Sequence, residues 1–255
     1  MKTTLITGAS SGIGKATAFE YAKNKYNLIL VARRKELLSE IKTQIETQYS
    51  VSVAVIVMDL AKLSSADELF SEVKDRNLKV DVLINNAGFG IYSELLSHDL
   101  QQLENMLVLN IITLSKLTRL FASKMVKNGG GDIINIASTA AFQPVPKLAA
   151  YAATKSYVMN FSDAIAYEFK DKNVHVLTIS PGATESEFGK AAGFDESADF
   201  YKNNPTSKDL AGFIYKEMIA KKTNSIHGFK NAFMAFSNRF APRKMTVAIA
   251  ANIME

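Results

Sequence analysis

Short apolar runs alternate with longer helical patterns along most of this chain. Candidate strands lie at residues 4–7, 28–32, 53–58, 82–85, 133–137 and 174–180, and candidate helices lie between them at 13–23, 35–48, 65–75, 100–127 and 149–170. Strands that are apolar throughout are buried on both faces, so helices must cover both sides of the sheet. This alternation predicts an α/β fold with a doubly wound, parallel, Rossmann-type sheet and right-handed crossovers.

A single domain is expected over all 255 residues, since a chain of this length fits one large α/β domain. No internal repeat or low-complexity linker divides the chain, and glycines 129–131 form a loop too short for a domain boundary. After Pro181 the pattern loosens as far as residue 206. A helix at 208–221 and a short strand near 225–227 are expected to follow.

The composition excludes several classes of function. The chain has no cysteine, which rules out disulfides, thiolate catalysis and cysteine zinc sites, and His98, His175 and His227 are too far apart in sequence to predict a metal site. The net charge of +5 is small and spread along the chain, so no nucleic-acid partner is expected. No signal-peptide pattern precedes the first strand and no apolar run approaches membrane-spanning length, which predicts a cytoplasmic protein without membrane contact.

A glycine-rich turn follows the first strand. Residues 7–14 read Thr-Gly-Ala-Ser-Ser-Gly-Ile-Gly and lead into the first candidate helix. Glycines let the backbone turn tightly and let a phosphate approach, and the free amides of a helix N-terminus suit a pyrophosphate. The turn therefore predicts a dinucleotide site, although its spacing is G-x-x-x-G-x-G rather than the commoner G-x-G-x-x-G.

The end of the second strand indicates which dinucleotide binds. An NAD site has Asp or Glu about 20 residues after the glycine turn, where it accepts hydrogen bonds from the ribose. Here the sequence is Val31-Ala32-Arg33-Arg34, with no carboxylate. A guanidinium binds a 2′-phosphate through forked, charge-assisted contacts. We therefore expect NADP(H), with Arg33 as the first phosphate ligand, Ser10 on the same phosphate, and Arg34 either assisting or facing solvent.

Five motifs together resemble those of the short-chain dehydrogenase/reductase family in order and approximate spacing. They are the turn at 7–14, Asn85-Asn86-Ala87-Gly88, Ser138, Tyr151-Ala152-Ala153-Thr154-Lys155 and Pro181-Gly182, and the resemblance runs from the start of the chain to about residue 184. It implies an NADPH-dependent oxidoreductase that interconverts a carbonyl and an alcohol by hydride transfer. It also implies a homodimer or homotetramer.

The resemblance assigns proton transfer to Tyr151. The pKa of a free tyrosine is about 10, and a nearby ammonium favours the phenolate and moves that pKa toward the working pH. Tyr151 and Lys155 are four residues apart on a candidate helix and so share one face. By resemblance, Ser138 holds the substrate oxygen, Lys155 also binds the ribose, and Asn110 holds a water in the proton relay. A packing role for Asn110 within its helix stays open.

The other cofactor contacts are also implied by the resemblance, and they follow strand ends, where ligands bind in open α/β sheets. Asp59 and Leu60 lie beside the adenine, 86–88 under the ribose, 181–182 beside the nicotinamide, and Thr184 at its carboxamide. The expected cofactor site comprises Gly8, Ser10, Ser11, Gly12, Ile13, Gly14, Arg33, Arg34, Asp59, Leu60, Asn86, Ala87, Gly88, Tyr151, Lys155, Pro181, Gly182 and Thr184.

The resemblance implies that the segment after Pro181-Gly182 determines substrate specificity. Residues 185–206 are therefore expected to form a lid over the substrate. Phe89, Tyr92, Phe142 and Phe188 either line an apolar pocket or serve packing. An apolar ketone or aldehyde is the expected substrate, with fatty-acyl, steroid, sugar-derived and xenobiotic carbonyls all left open. The alternative is an NADPH-sensing regulator without catalysis, which would not need Ser138, Tyr151 and Lys155 together.

The C-terminal segment 229–255 is expected to form an apolar helical tail. Phe229, Phe233, Phe236 and Phe240 are spaced four, three and four apart and would form one stripe on a helix. The stripe is compatible with packing on its own domain, with a subunit interface, or with a membrane surface. We favour a subunit interface and rank membrane contact last, because the basic residues beside the stripe are few.

Overall fold

The computed structural model describes residues 1–194 and 204–254 and contains one seven-stranded parallel sheet. The strands are β1 (Thr3–Thr7), β2 (Asn27–Ala32), β3 (Val53–Val57), β4 (Val82–Asn85), β5 (Gly131–Ile136), β6 (Val174–Ser180) and β7 (Asn224–Ile226), in the spatial order β3-β2-β1-β4-β5-β6-β7. The order reverses between β1 and β4. This is the topological switch point, where ligands bind beyond the carboxyl ends of the strands.

Helices cover both faces of the sheet, as the alternating pattern predicts. They are α1 (Gly12–Lys23), α2 (Lys35–Tyr49), α3 (Ser65–Asp75), α4 (Leu100–Leu107), α5 (Leu114–Lys127), α6 (Ala149–Phe169), α7 (Phe188–Ala192), α8 (Ser207–Ile219), α9 (Phe229–Ser237) and α10 (Arg243–Ile253). Side chains of α1, α2 and α8 pack on one face, and those of α3, α5 and α6 pack on the other. Leu5 and Ile6, adjacent in β1, are both fully buried and belong to opposite layers.

The helix predicted over 100–127 is wrong in one respect, because a π-helical turn, Val108–Thr113, separates α4 from α5. A π-turn holds one more residue than an α-turn. The extra residue lets the buried Asn110 point at neighbouring elements while Leu117, Phe121 and Met125 still face the core. The physical reason lies in Asn110's contacts, which are described with the site.

The stretch Leu100–Lys127 is also long and apolar enough to cross a membrane by length and composition, contrary to the expectation that no such run exists. Half of its most apolar window is buried inside the domain. Its apolar side chains form part of the core between α3 and the sheet. Packing therefore accounts for the composition of this stretch.

The expected lid is described for residues 185–194 and 204–206, while 195–203 lie outside the described residues. It begins with a parallel bridge from Glu185 to Thr206, continues into α7, and leads to α8. Thr206 and Asp209 form a capping box at the start of α8, which fixes the end of the lid to a rigid helix. The Ala192 carbonyl accepts from the Tyr92 amide at 2.8 Å, so α7 is also tied to the segment after β4.

A buried carboxylate, Asp132, lies at the amino ends of the strands, away from the switch point. Its Oδ1 is 2.9 Å from His175 Nδ1 and also accepts from Lys221. Burial alone would raise the pKa of Asp132, but the hydrogen bonds from His175 and Lys221 outweigh it and hold that pKa below its usual value. The cluster joins β5, β6 and the chain after α8.

Candidate active site

The glycine-rich turn brings the end of β1 against the end of β4. Gly8 has a φ of +67°, and a Cβ on it would lie 2.9 Å from the Ala87 Cα, so only glycine fits without strain. Thr7 Oγ1 accepts from the amides of Asn86 and Ala87, each at 3.0 Å. These contacts place the predicted residues of both strand ends around one cleft.

The first turn of α1 faces that cleft. Its N-cap, Ser11, is extended and makes no side-chain hydrogen bond to the helix, and the first turn contains no acidic residue. The amides of this turn have no partner within the helix itself. They therefore offer donors, at the positive end of the helix dipole, to an anionic group.

Arg34 lies over the glycine-rich turn. Its guanidinium donates to Ser10 Oγ at 3.1 Å, to Ser11 Oγ at 2.6 Å and to Glu187 Oε2 at 2.9 Å. The hydrogen bonds from Arg34 and Ser11 lower the pKa of the Glu187 carboxyl. Arg34, rather than the predicted Arg33, therefore contacts Ser10. Arg33 is exposed and lines the cavity beside the glycine-rich turn.

The cavity beside this turn measures about 560 Å³. It is lined by Asp59 and Leu60 after β3 and by 86–88 after β4, in addition to the glycine-rich turn. Asp59 Oδ1 accepts from the Ala61 amide at 3.1 Å, which shapes the turn, and Leu60 supplies a buried apolar wall. The residues expected near an adenine and its ribose are thus together.

A second cavity, of about 760 Å³, adjoins the first and shares Ile13, Asn86 and Gly88 with it. It is lined by the predicted nicotinamide-side residues and by the predicted catalytic residues other than Asn110, namely Ser138, Tyr151, Lys155, Pro181, Gly182 and Thr184. Much of the remaining wall is apolar. The two cavities form one cleft that crosses the switch point between β1 and β4.

Ser138 lies two residues after the end of β5 and caps a short 3₁₀ helix, Thr139–Phe142. Its Oγ accepts from the Ala140 amide at 3.1 Å, which orients the hydroxyl group. Because an amide already donates to this oxygen, the serine proton remains available to another acceptor in the cavity.

Tyr151 and Lys155 lie one turn apart on α6, as their spacing predicts. The Lys155 Nζ is 5.7 Å from the centroid of the Tyr151 ring and donates to the Ile136 carbonyl at 2.8 Å. Burial lowers the pKa of Lys155 from 10.5 to about 8. Tyr151 is almost fully buried, with its ring 5.2 Å from that of Phe188 on α7.

Asn110 uses its side chain to join three elements. Its Nδ2 donates to the Phe89 carbonyl at 3.0 Å and to Thr154 Oγ1 at 3.1 Å, and its Oδ1 accepts from the Phe89 amide at 3.3 Å. Thr154 in turn donates to the Tyr151 carbonyl at 2.7 Å. Sequence reasoning missed Thr154, although its position between Tyr151 and Lys155 was a signal. Asn110 therefore packs as a connector and keeps one Oδ1 lone pair for a further donor.

The aromatic residues proposed for the pocket have different positions. Phe188 lines both cavities and Phe89 lines the smaller one, whereas Phe142 lies at another surface. Tyr92 stacks on Phe194 with ring centroids 4.3 Å apart and donates to the Met254 carbonyl. Packing is therefore the role of Tyr92.

The C-terminal helices also line the catalytic cavity, which sequence reasoning missed. The Asn231 side chain of α9 lies so close to Gly182 that a Cβ on Gly182 would meet it. Met234 and Ile253 form part of the cavity wall. The only sequence signal was the apolar composition of the segment. α9 ends at Ser237, so Phe240 lies beyond the helix on which the stripe was expected.

The cleft fits a dinucleotide on its own geometry. Gly14 approaches Gly8 so closely that a Cβ would meet the Gly8 carbonyl, which packs the start of α1 tightly on the turn. Free amides face the middle of the cleft, guanidinium and hydroxyl donors cluster at one end, and Lys155 lies near the other. The amides suit an anion, the Arg34 end suits a second anion in place of the Glu187 carboxylate that Arg34 contacts, and Lys155 suits a ribose.

Comparisons with known proteins agree with this geometry. The family model described as short chain dehydrogenase matches residues 2–196. The chain is 35% identical over 220 residues to an NADP-dependent 3-hydroxy acid dehydrogenase of Schizosaccharomyces pombe, covering 84% of this chain and 85% of that one. It is 31% identical over 233 residues to a 7beta-hydroxysteroid dehydrogenase of Clostridium sardiniense, covering 91% and 84%. A short-chain dehydrogenase from Sphingobium yanoikuyae, solved in complex with NADPH, superposes with a TM-score of 0.85 at 26% identity, covering 94% of each chain.

Proposed function

The chain belongs to the short-chain dehydrogenase/reductase family, and on that premise we propose that it reduces an apolar ketone or aldehyde with Tyr151 as proton donor. It is an NADP(H)-dependent oxidoreductase that acts on a CH–OH/C=O pair. One observation carries the finer proposal: Ser138, Tyr151 and Lys155 line a single, largely apolar cavity that adjoins the dinucleotide cleft.

Different residues in the cofactor half of the cleft bind different parts of NADPH. When bound, NADPH supplies the hydride that reduces the carbonyl carbon. The amides at the start of α1 hold the pyrophosphate, and Arg34 with Ser10 binds the 2′-phosphate, assisted by Arg33. Asp59 and Leu60 border the adenine, and Lys155 donates to the nicotinamide ribose.

The substrate half moves one proton. Ser138 donates a hydrogen bond to the carbonyl oxygen, and the Tyr151 hydroxyl gives its proton to that same oxygen as negative charge develops there. The nearby Lys155 ammonium stabilises the phenolate left on Tyr151. In alcohol oxidation the phenolate takes the proton back.

The residues behind Tyr151 hold it in position. Asn110 binds Thr154, and Thr154 binds the Tyr151 carbonyl, so the π-turn is linked to the catalytic turn of α6. The remaining lone pair of Asn110 Oδ1 is the place for the relay water. The burial of Asn110 supports the connecting role.

The cavity composition supports an apolar substrate. Val145, Leu148, Phe188, Met234 and Ile253 line the space around the catalytic residues. A volume of about 760 Å³ is within the range of sites for drug-sized ligands. Of the relatives named above, one is named for 3-hydroxy acids and one for a hydroxysteroid, and the steroid is the more apolar of these substrates. A lipophilic carbonyl compound of comparable size is the proposed substrate class.

We further propose that residues 1–255 form one domain and that this domain assembles into a cytoplasmic homodimer or homotetramer. Leu107 and Ile112 are exposed on the α4–α5 stretch, and Tyr157 is exposed on the adjacent α6. The Ser115 and Tyr157 hydroxyl groups, 3.0 Å apart, join the two helices at this surface. A symmetric contact reuses such a patch on both subunits, and sedimentation of the purified protein measures it.

The test of catalysis is Tyr151→Phe, with Tyr157→Phe on the same helix as matched control. NADPH oxidation is followed against a panel of steroid ketones, aliphatic ketones, 3-oxoacyl thioesters and keto sugars. Tyr151→Phe should lower kcat by roughly 10²- to 10⁴-fold while NADPH binding, measured by fluorescence, persists. Tyr157→Phe should behave as the parent. Near-normal turnover of Tyr151→Phe would refute the proton donor, and a parent that binds NADPH but reduces nothing would favour the cofactor-sensing alternative.

A further inference from the structure

The C-terminal hairpin, defined as α9, α10 and the connection between them, presents phenylalanines to solvent. Phe229, Phe233 and Phe236 share one face of α9, and Ala235 on the opposite side is buried against the domain. Phe240 follows the helix with its ring 5.2 Å from that of Phe236. The exposed fractions of the four phenylalanines are 86%, 63%, 56% and 76% in chain order. The stripe therefore does not pack on its own domain.

Helix α10 presents exposed apolar side chains of its own. Thr246 and Ala250 are buried, whereas Met245, Ile249 and Ile253 are about half exposed. Single exposed apolar side chains are ordinary, but a group of seven within one hairpin marks an interaction site.

Charge indicates what covers this surface. Residues 229–255 contain Lys230, Arg239, Arg243 and Lys244 but only one acidic residue, Glu255. All four cations are exposed, and none forms an ion pair within the described residues 1–194 and 204–254. The hairpin thus combines a phenylalanine face with an excess of positive charge.

A second copy of the chain is the poorer occupant. In a two-fold contact the same patch faces itself, so the four cations of one hairpin would meet the four of the other, with a single glutamate in each segment to offset them. Repulsion of this kind opposes association. An anionic surface with an apolar interior satisfies both parts of the hairpin.

We propose that the C-terminal hairpin docks on the surface of a lipid bilayer that contains anionic phospholipids. Its phenylalanines enter the boundary between headgroups and acyl chains, and its lysines and arginines bind the lipid phosphates. This surface is separate from the apolar stretch Leu100–Lys127, much of which is buried in the core.

Docking has a consequence for the substrate, and this step rests on the proposed function. Phe229 and Ile253 line the catalytic cavity and are also exposed, so they lie at its mouth. A docked hairpin would open that mouth toward the bilayer. A lipophilic carbonyl would then enter from the lipid rather than from water.

The test measures cosedimentation of the full chain with vesicles of phosphatidylcholine alone or mixed with phosphatidylserine. The parent should bind the mixed vesicles and lose that binding as salt is raised. At low salt, Arg243→Glu/Lys244→Glu should weaken binding at least about tenfold, and Phe233→Ser/Phe236→Ser should weaken it as well. Lys124→Glu/Lys127→Glu makes the same change of net charge on α5 and should bind as the parent.

Two results would overturn the proposal. One is a parent that does not distinguish the two vesicle types. The other is a parent that self-associates and becomes monomeric in Phe233→Ser/Phe236→Ser without either form binding lipid, which would assign the hairpin to a subunit interface. NADPH binding and thermal unfolding of each variant report separately on the cofactor site and the fold. Failure of lipid binding is thus distinguishable from failure of the proposed reaction.

Discussion

The charged Lys155 that the proposed reaction needs should lower the stability of the fold, because its ammonium is buried. Burial shifts the pKa of Lys155 from 10.5 to about 8. Each pKa unit corresponds to about 1.4 kcal/mol, so keeping this lysine charged in the folded protein costs about 3 kcal/mol at pH 7. Lys155→Met removes that cost with a side chain of similar length. It also removes the hydrogen bond to the Ile136 carbonyl, which offsets about 1 kcal/mol.

The sign of the pH dependence follows from the direction of the shift. Below pH 8 both the folded and unfolded forms carry the proton, and the full cost is present. Between pH 8 and 10.5 the folded form releases its proton while the unfolded form keeps it, so the stability of the parent rises with pH. Above that range the cost is gone and only the hydrogen bond distinguishes parent from variant.

Urea unfolding of the cofactor-free protein measures these differences. Lys155→Met should be more stable than the parent by about 2 kcal/mol at pH 7 and less stable by about 1 kcal/mol at the alkaline end. Its turnover should be lost throughout. Lys124→Met, at an exposed position on α5, controls for removal of a charge. A variant less stable than the parent at pH 7, or a difference that does not change with pH, would refute the reasoning.

Two further predictions concern the cofactor and the Asp132 cluster. Arg34→Asp should weaken NADPH binding about 10- to 100-fold in a fluorescence titration and leave NADH binding little changed, and Arg33→Asp measures the share of the second arginine; equal affinity of the parent for both cofactors would contradict this. Asp132→Asn should lower the free energy of unfolding by about 1–3 kcal/mol, because it weakens the contacts with His175 and Lys221. Because folding lowers the pKa of Asp132, its carboxylate stabilises the fold above the unfolded pKa of 3.8, and this stabilisation is lost as the pH falls through the folded pKa. The free energy of unfolding of the variant should therefore change less with pH in this acid range than that of the parent.

Local patterns predicted most of the fold and the composition of the cleft. The alternation of apolar strands and helices along the chain predicted the layers of the fold. The glycine-rich turn and the four-residue spacing of Tyr151 and Lys155 could be recognised because each lies within a few residues of sequence. Parallel strands then bring their carboxyl ends to one edge, which gathers residues such as Asp59 and Asn86 without any further information.

Contacts between distant segments could not be predicted in this way. Arg34 and Glu187 are 153 residues apart, and Asn110 and Thr154 are 44 apart, so no local period links either pair. The phenylalanine stripe shows a related limit. Its spacing indicates a helix with one apolar face, but the direction of that face depends on how α9 packs beside Gly182.

The π-turn at Val108–Thr113 also restricts how this gene can change in length. Deleting one of its six residues would leave a continuous α-helix. Because the wide turn already takes up the rotation of one extra residue, about 100°, the side chains of α4 and α5 would keep their faces. Phe121 would stay in the core, but Asn110 would lose its contacts with Phe89 and Thr154, because the π-turn orients its side chain. A substitution at the exposed Ile112 disturbs neither contact. Codon loss is therefore far more damaging here than codon replacement.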